Sequence, residues 1–118
     1  MDTREIASKI AQILLETKAV QFSPTKPYQW ASGWLSPIYC DNRVTLSYPK
    51  HRTHIRQMLA DCIAHDFSRC DLVAGVATAG IPQGVLVAEQ LGLPFVYVRS
   101  KPKEHGTRSQ IEGRWESN

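Results

Sequence analysis

The sequence predicts an α/β protein whose core is a parallel sheet. Two apolar runs, Leu72 to Ala77 and Phe95 to Val98, have the length and composition of strands covered on both faces. Between them, Pro82 starts a segment with apolar residues at helical spacing, and Gly92 ends it. A strand, a helix and a second strand within about 30 residues make a βαβ unit, whose two strands pair in parallel.

The N-terminal part is predicted to begin with an amphipathic helix over residues 3–17. Asp2 and Glu5 have the spacing of a capping box. The apolar residues that follow recur on one helical face: Ile6, Ile10, Ile13 and Leu14.

The segment from Val20 to Tyr48 has a different texture. Several prolines and aromatic residues divide it into short extended pieces and turns. Short strands are expected near 19–22, 29–31 and 37–40.

A second helix is predicted after this segment. Ser47 is placed as its cap and Pro49 in its first turn. Apolar residues then repeat at helical spacing as far as about Asp66.

Composition places the 118 residues in the globular class, as one domain or a piece of one. The hydrophobic share is 42%, the charged share 21% and the net charge +3, which is too mild to indicate a nucleic-acid partner. No apolar run approaches the roughly 20 residues of a membrane span, and the N-terminus does not resemble a signal peptide. Three cysteines without a C-x-x-C pair (Cys40, Cys62 and Cys70) indicate reduced thiols in a cytoplasmic protein, with no metal site.

The turn from Gly75 to Gly80 joins the first core strand to the helix that follows it. Small residues there would let a phosphate approach the unpaired N–H groups at the start of that helix. A P-loop is excluded, because Ile81 and Pro82 stand where Lys and Ser or Thr are required. The turn fits equally well with a tight βα connection that binds nothing.

The basic loop, residues 99–114, follows the second core strand. It carries five cations and only two carboxylates: Arg99, Lys101, Lys103, Arg108 and Arg114 against Glu104 and Glu112. His105 lies among them, and Gly106 and Gly113 would let the segment close as a lid. Because ligands gather at the carboxyl ends of parallel strands, we expect these cations to hold a phosphate or pyrophosphate. The alternative is a solvated surface loop of mixed charge.

Three segments occur in a characteristic order: SGWLSPIYCDNR at Ser32–Arg43, GVATAGIP at Gly75–Pro82 and RSKPKEHG at Arg99–Gly106. Together they resemble orotate phosphoribosyltransferase, of the type I phosphoribosyltransferase family, and the similarity covers essentially the whole chain. The resemblance implies a parallel sheet with flanking helices and an N-terminal hood. It also implies a pentosyltransferase of pyrimidine biosynthesis, which transfers ribose 5-phosphate from phosphoribosyl pyrophosphate to orotate and releases pyrophosphate.

The resemblance assigns roles to the two loops. It implies that the 75–80 turn contacts phosphoribosyl pyrophosphate through Thr78, Ala79 and Gly80. The catalytic residues it implies, which would also bind phosphoribosyl pyrophosphate, are Arg99, Lys103 and His105. In the family this loop is mobile and reaches the neighbouring subunit's active site, so a homodimer is expected. Mg²⁺ is expected to be held mainly through the pyrophosphate substrate.

The hood, Ser32–Arg43, matches the segment that covers orotate in the family. The implied orotate contacts are Ser32, Tyr39, Cys40 and Arg43, with Tyr39 and Cys40 against the flat base. Some family members carry lysines where this chain has Ala31, Ala79 and Ser100, and the roles of those lysines are not carried over.

Family members also have two adjacent acids and a Thr/Gly-rich phosphate turn after the basic loop, and no such sequence follows Trp115. We therefore expect a single partial domain over residues 1–118, the N-terminal portion of the enzyme. Residues 1–48 would form the first helix and the hood, and residues 49–118 the first part of the core. On this interpretation the isolated chain is inactive and poorly soluble.

Two rival interpretations stay open. One is a phosphoribosyltransferase for a purine or another base, against which the hood argues. The other is a regulatory or binding protein that keeps the fold and lacks catalysis. Neither a membrane nor a nucleic acid is expected as a partner.

Overall fold

The computed structural model describes residues 2–106 and 109–116. The chain forms two compact units, Met1–Ile55 and Arg56–Asn118. Within the described residues, no helix is both long and apolar enough to cross a membrane.

The first unit begins with helix α1, Thr3–Glu16. The Asp2 carboxylate accepts a hydrogen bond from the Arg4 N–H at 3.2 Å, and the Glu5 carboxylate accepts one from the Asp2 N–H at 3.4 Å. This capping box satisfies N–H groups that a helix start otherwise leaves unpaired. The prediction of a helix with this cap is therefore confirmed, with its end one residue earlier than expected.

Four short strands follow α1 as two antiparallel pairs. Strand β1 (Val20–Phe22) pairs with β4 (Ile38–Cys40), and β2 (Tyr28–Gln29) pairs with β3 (Leu35–Ser36). The three predicted strands are present, with shifts of one or two residues at their ends. The sequence did not predict β3, whose two residues are extended through their pairing with β2.

A 3₁₀ helix, Asn42–Ser47, leads into helix α2, Pro49–Asp66, which crosses the boundary between the units. The extent predicted for α2 is confirmed, but the prediction that Ser47 caps it is wrong. Ser47 ends the 3₁₀ helix, and the Tyr48 carbonyl accepts the N–H of Arg52 at 2.8 Å. A cap must directly precede the first helical residue, and Tyr48 occupies that position.

The second unit contains the predicted βαβ motif. Strand β5 (Val73–Val76), helix α3 (Gly80–Leu91) and strand β6 (Phe95–Val98) follow in order, and β5 pairs in parallel with β6. A short strand, β7 (Ile111–Glu112), adds to β6 in antiparallel orientation, so the sheet order is β5-β6-β7. The α/β prediction is confirmed, while β7 was not predicted.

Helix α3 lies close against the two parallel strands because glycines remove side chains at the contact. A Cβ atom on Gly84 would stand 2.6 Å from Cε1 of Phe95. One on Gly75 would stand 2.7 Å from the Gly80 carbonyl oxygen. Buried side chains at this packing include Val87, Ala88 and Val96.

Strand β5 is not covered on both faces, and that part of the prediction is wrong. Gly75 is buried, whereas Ala74 and Val76 are exposed, and Val76 keeps 66% of its surface accessible. The alternation follows from the pleat of a strand whose one face meets α3. A continuous apolar run therefore does not by itself prove that both faces are buried.

Candidate functional site

The 75–80 turn and the basic loop start from the same edge of the sheet. Val76 ends β5, Val98 ends β6, and the two residues are partners in the parallel register. The Ala77 N–H donates to the Val98 carbonyl at 2.8 Å, so the pairing continues into both connections. The prediction that these two segments leave neighbouring strands at their carboxyl ends is confirmed.

The 75–80 turn presents backbone N–H groups at the start of α3. Thr78 and Ala79 are exposed, and Gly80 is the first helical residue. Ala79 caps the helix without a side-chain hydrogen bond, and the peptide between Ala77 and Thr78 is cis. Among the described residues, no acceptor pairs with the N–H of Thr78 or Ala79. Such N–H groups, with the positive end of a helix dipole behind them, suit an anion.

The basic loop is tied at its base as a hairpin rather than hanging free from β6. The Arg99 N–H donates to the Gln110 carbonyl at 2.7 Å, and the Gln110 side-chain amide donates to the Arg99 carbonyl at 3.0 Å. Further out, the Lys103 N–H donates to the Ser109 carbonyl at 3.4 Å. These hydrogen bonds fix the backbone positions from which the Arg99 and Lys103 side chains extend.

The carboxylate of Glu112 lies between two of the loop's cations. Its Oε1 atom is 2.7 Å from Nζ of Lys103 and 3.6 Å from Nη1 of Arg99. Both contacts are ion pairs without the alignment of a hydrogen bond. The Lys103 and Arg99 side chains remain 39% and 41% exposed, whereas Glu112 is 20% exposed. Two cations are thus brought to one point with their outer sides open to solvent.

The other polar residues of the basic loop are less constrained. His105 is exposed and makes no hydrogen bond or ion pair with any described residue. Lys101 is exposed, and its carbonyl accepts from Nε of Arg99 at 3.3 Å. Arg114 is exposed as well, and Arg108 lies outside the described residues. Arg99 and Lys103 are thus the cations of this loop that the described residues bring to one carboxylate.

In the first unit, Arg43 of the hood is held by Asp41. The Asp41 carboxylate accepts from Nε of Arg43 at 2.8 Å, from Nη2 at 3.0 Å and from the Arg43 N–H at 3.1 Å. These hydrogen bonds from the Arg43 side chain are the main reason that the pKa of Asp41 lies below its ordinary value. The pair caps the 3₁₀ helix and leaves the Arg43 side chain 66% exposed.

The remaining hood residues lie on the two small hairpins. Ser32 is in the turn between β2 and β3, where its hydroxyl accepts from the Trp34 N–H at 3.4 Å. Tyr39 and Cys40 are consecutive in β4, so their side chains leave opposite faces of the strand. The Tyr39 ring lies beside that of Tyr28, with centroids 5.6 Å apart, and the Cys40 thiol donates to the Asn42 side chain at 3.2 Å. All three cysteines are free thiols.

Known proteins include relatives that match this chain over about nine-tenths of its length. No protein-family model matches the chain. Orotate phosphoribosyltransferase of Cytophaga hutchinsonii is 53% identical over 106 residues, which are 90% of this chain and 51% of that protein. Orotate phosphoribosyltransferase of Lactococcus lactis subsp. cremoris is 54% identical over 109 residues, which are 92% of this chain and 52% of that protein. The crystal structure of orotate phosphoribosyltransferase from Aeropyrum pernix matches with a TM-score of 0.73 and 33% identity, over 87% of this chain and 56% of that one.

The chain is homologous to the orotate phosphoribosyltransferases. It spans about half the length of the curated relatives it matches. The resemblance predicted from three short segments is confirmed, and the α/β architecture is that of a phosphoribosyltransferase fold.

In this homologue of orotate phosphoribosyltransferase, Glu112 was predicted only as a countercharge in the basic loop. Its ion pairs with Lys103 and Arg99 were not predicted. The ion pairs arise because β7 returns alongside β6 and places Glu112 opposite Tyr97. The signal that could have revealed this return is the polar, glycine-containing stretch between two short runs with apolar residues, which is typical of a hairpin.

Proposed function

We propose that this chain supplies the phosphoribosyl-pyrophosphate site of an orotate phosphoribosyltransferase. The observation that carries the proposal is the pair of cations, Arg99 and Lys103, on a loop that starts beside the helix N-terminus of the 75–80 turn. Its homology to orotate phosphoribosyltransferases supports the choice of reaction. The position of this loop at the carboxyl ends of two parallel strands, beside the start of α3, favours the proposal over a plain surface loop.

The 75–80 turn would hold the pyrophosphate of phosphoribosyl pyrophosphate. Thr78, Ala79 and Gly80 would contribute backbone N–H groups and the positive end of the α3 dipole. A side chain at Gly75 would collide with the Gly80 carbonyl, so the small residues keep the turn compact enough for a phosphate to reach the backbone.

Arg99 and Lys103 would then act on the departing group. The bond between C1 of the ribose and the pyrophosphate oxygen breaks, and its electron pair goes to pyrophosphate. N1 of orotate bonds to C1, and the N1 proton passes to solvent. Negative charge grows on pyrophosphate while the ribose becomes oxocarbenium-like, and fixed cations stabilise that charge most in the transition state. His105 would donate a hydrogen bond or a proton to the same group, and its exposure leaves it free to approach.

The hood would hold orotate. Tyr39, whose ring already lies beside that of Tyr28, offers an aromatic surface for a flat base. Cys40 leaves the opposite face of β4, so it would not lie against the base beside Tyr39 as the resemblance implies. Ser32 and Arg43 would recognise the polar edge of orotate, and the Arg43 guanidinium is presented by Asp41.

Magnesium would enter with the substrate. Among the described residues, no three His, Cys, Asp or Glu side chains converge on one point, and the gathered groups of the second unit are mainly cationic. This donor set suits the pyrophosphate oxygens rather than a bare cation. Mg²⁺ bound to those oxygens would neutralise part of the leaving group's charge. The enzyme would be a cytoplasmic homodimer in which the basic loop serves the neighbouring subunit.

The decisive test assays the full-length gene product with phosphoribosyl pyrophosphate, Mg²⁺ and one base at a time. We expect release of pyrophosphate that depends on orotate and is absent with hypoxanthine, xanthine or adenine. Release of pyrophosphate with a purine would show that the base substrate is a purine rather than orotate. Binding of phosphoribosyl pyrophosphate without turnover on any base would support the binding-protein interpretation instead.

A further inference from the structure

The Glu112 carboxylate lies beside the two cations to which the proposed chemistry assigns pyrophosphate binding. Glu112 Oε1 lies 2.7 Å from Nζ of Lys103 and 3.6 Å from Nη1 of Arg99. A pyrophosphate that binds both cations competes for them with this carboxylate.

The backbone holds Glu112 more firmly than it holds Lys103. Glu112 belongs to β7 and is the register partner of Tyr97 in β6, so its carboxylate stays with the sheet. Lys103 lies in the connection between the two strands, where one backbone bond of 3.4 Å to Ser109 is its anchor among the described residues. A movement of the loop would therefore separate Lys103 from Glu112 rather than carry both along.

The contacts themselves are of a kind that a ligand can replace. Both cations are about two-fifths exposed, so a ligand reaches them from the solvent side. Neither contact is an aligned hydrogen bond, and partly exposed ion pairs contribute little to stability. A pyrophosphate carries more negative charge than one carboxylate and offers several acceptor oxygens.

We propose that Glu112 is an internal competitor of pyrophosphate, a positioning residue that holds Lys103 and Arg99 in the empty site and releases them when phosphoribosyl pyrophosphate arrives. The inference rests on the proposed function and adds a residue to it. While the pair is formed, the site is only partly available, and the apparent dissociation constant rises by the inverse of the available fraction. The apparent dissociation constant of every ligand that binds Lys103 should rise by the same factor, whereas that of orotate should not change.

The test compares Glu112→Gln with Glu104→Gln in the full-length gene product. Both changes remove one negative charge from the basic loop, but Glu104 is exposed and makes no ion pair with any described residue. Isothermal titration calorimetry with pyrophosphate, and separately with phosphoribosyl pyrophosphate, measures Kd at constant Mg²⁺. We expect Glu112→Gln to lower Kd about two- to fivefold for both ligands, the range of a partly exposed ion pair. Glu104→Gln should change Kd less than about twofold, because the Glu104 carboxylate is exposed and its charge is screened by solvent and salt.

Two further readouts separate competition from a structural role. Glu112→Asp keeps the charge but shortens the reach, so its Kd should fall between those of the native protein and Glu112→Gln. In steady-state kinetics, Glu112→Gln should lower KM for phosphoribosyl pyrophosphate, leave KM for orotate unchanged and not raise kcat. If Glu112 only supported the hairpin, both Glu112→Gln and Glu112→Asp would weaken the binding of pyrophosphate.

The outcomes distinguish this inference from the proposed function. If the native protein binds pyrophosphate and Glu112→Gln binds it no more tightly, the competitor role is overturned and the proposed function stands. If the native protein binds neither pyrophosphate nor phosphoribosyl pyrophosphate, both are overturned. Tighter binding by Glu112→Gln but not by Glu104→Gln supports the inference.

Discussion

At the scale of single residues, Lys103 is the cation whose removal tests the proposed chemistry most directly. Lys103→Ala in the full-length gene product should lower kcat by about 100-fold or more, the usual effect of losing one donor to a developing anion. Its ion pair with Glu112 is partly exposed, so the free energy of unfolding should fall by less than about 1 kcal/mol.

Lys101→Ala is the matched control for that experiment, because it removes the same charge from the same loop. Lys101 makes no ion pair with a described residue, and we expect a much smaller loss of kcat. Stopped-flow or steady-state pyrophosphate release measures kcat, and urea unfolding measures stability. Equal losses in the two variants, or a Lys103→Ala enzyme of nearly native turnover, would remove Lys103 from the mechanism.

Asp41 provides a prediction about pH. The hydrogen bonds from Arg43 lower the pKa of the Asp41 carboxyl below the ordinary value of an aspartate. A group whose pKa is depressed in the folded state stabilises the fold above its unfolded pKa, and this contribution is lost as the pH falls through the lowered pKa. The cap of the 3₁₀ helix should therefore persist to a pH below the ordinary titration range of aspartate.

NMR titration of the Asp41 side-chain carboxyl tests this prediction. Arg43→Ala should move its pKa upward, toward the ordinary value of aspartate, whereas Arg69→Ala in the other unit should leave it in place. A midpoint that does not move on loss of Arg43 would mean that the contact is absent in solution.

Contacts between residues close in the sequence could be predicted, whereas contacts between residues that only the fold brings together could not. The capping box of Asp2 and Glu5 was predictable because both partners lie within one helical turn. The pairing of Glu112 with Lys103 and Arg99 was not, since it depends on where β7 returns. Ser47 failed as a cap because a 3₁₀ helix, not seen in the periodicity, occupies the preceding residues.

At the scale of elements, the same division holds. The three helices and the parallel pair β5 and β6 were predictable, because each spans enough residues to show a pattern. Strands β3 and β7 have two residues each, and their pairing is decided by partners rather than by their own sequence. The basic loop was accordingly predicted only as a loop after β6, and its pairing as a hairpin was not predicted.

The contact between α3 and the sheet leads to a prediction for Gly84. A Cβ at this position would stand 2.6 Å from the Phe95 ring, so Gly84→Ala must displace the ring or the helix. Such overpacking costs about 1–3 kcal/mol of stability. Gly80→Ala is the control on the same helix, because its nearest new contact would be at 3.7 Å. It should change stability by less than about 1 kcal/mol, since helix propensity favours alanine.

Urea unfolding followed by circular dichroism measures both glycine variants. If Gly84→Ala is as stable as Gly80→Ala, the close packing of α3 on Phe95 is not a constraint on the fold. A large loss in Gly84→Ala alone would agree with the geometry.

At the scale of the whole molecule, the sequence motifs were sufficient to predict the resemblance to orotate phosphoribosyltransferases, while composition was not. Three short segments in order carried that prediction, and identity above 50% to curated relatives confirms it. Burial was less predictable, because it depends on which surfaces meet. Large apolar side chains stay exposed in each unit: Phe22, Trp34 and Leu35 in the first, Phe67 and Val76 in the second.

These exposed surfaces predict that the 118-residue chain, prepared alone, associates with itself. Strand β5 ends the order β5-β6-β7, so among the described residues its other edge is unpaired, and its exposed face carries Val76. Open apolar edges of this kind recruit further strands, and a lysine placed on them opposes the recruitment. Val76→Lys should therefore lower the weight-average mass seen in analytical ultracentrifugation at a given concentration. Ala7→Lys, at an exposed position of α1, adds the same charge and should leave the weight-average mass unchanged. A native chain that sediments as a monomer at all concentrations would contradict the prediction, and an equal effect of both lysines would show that net charge rather than the β5 edge controls association.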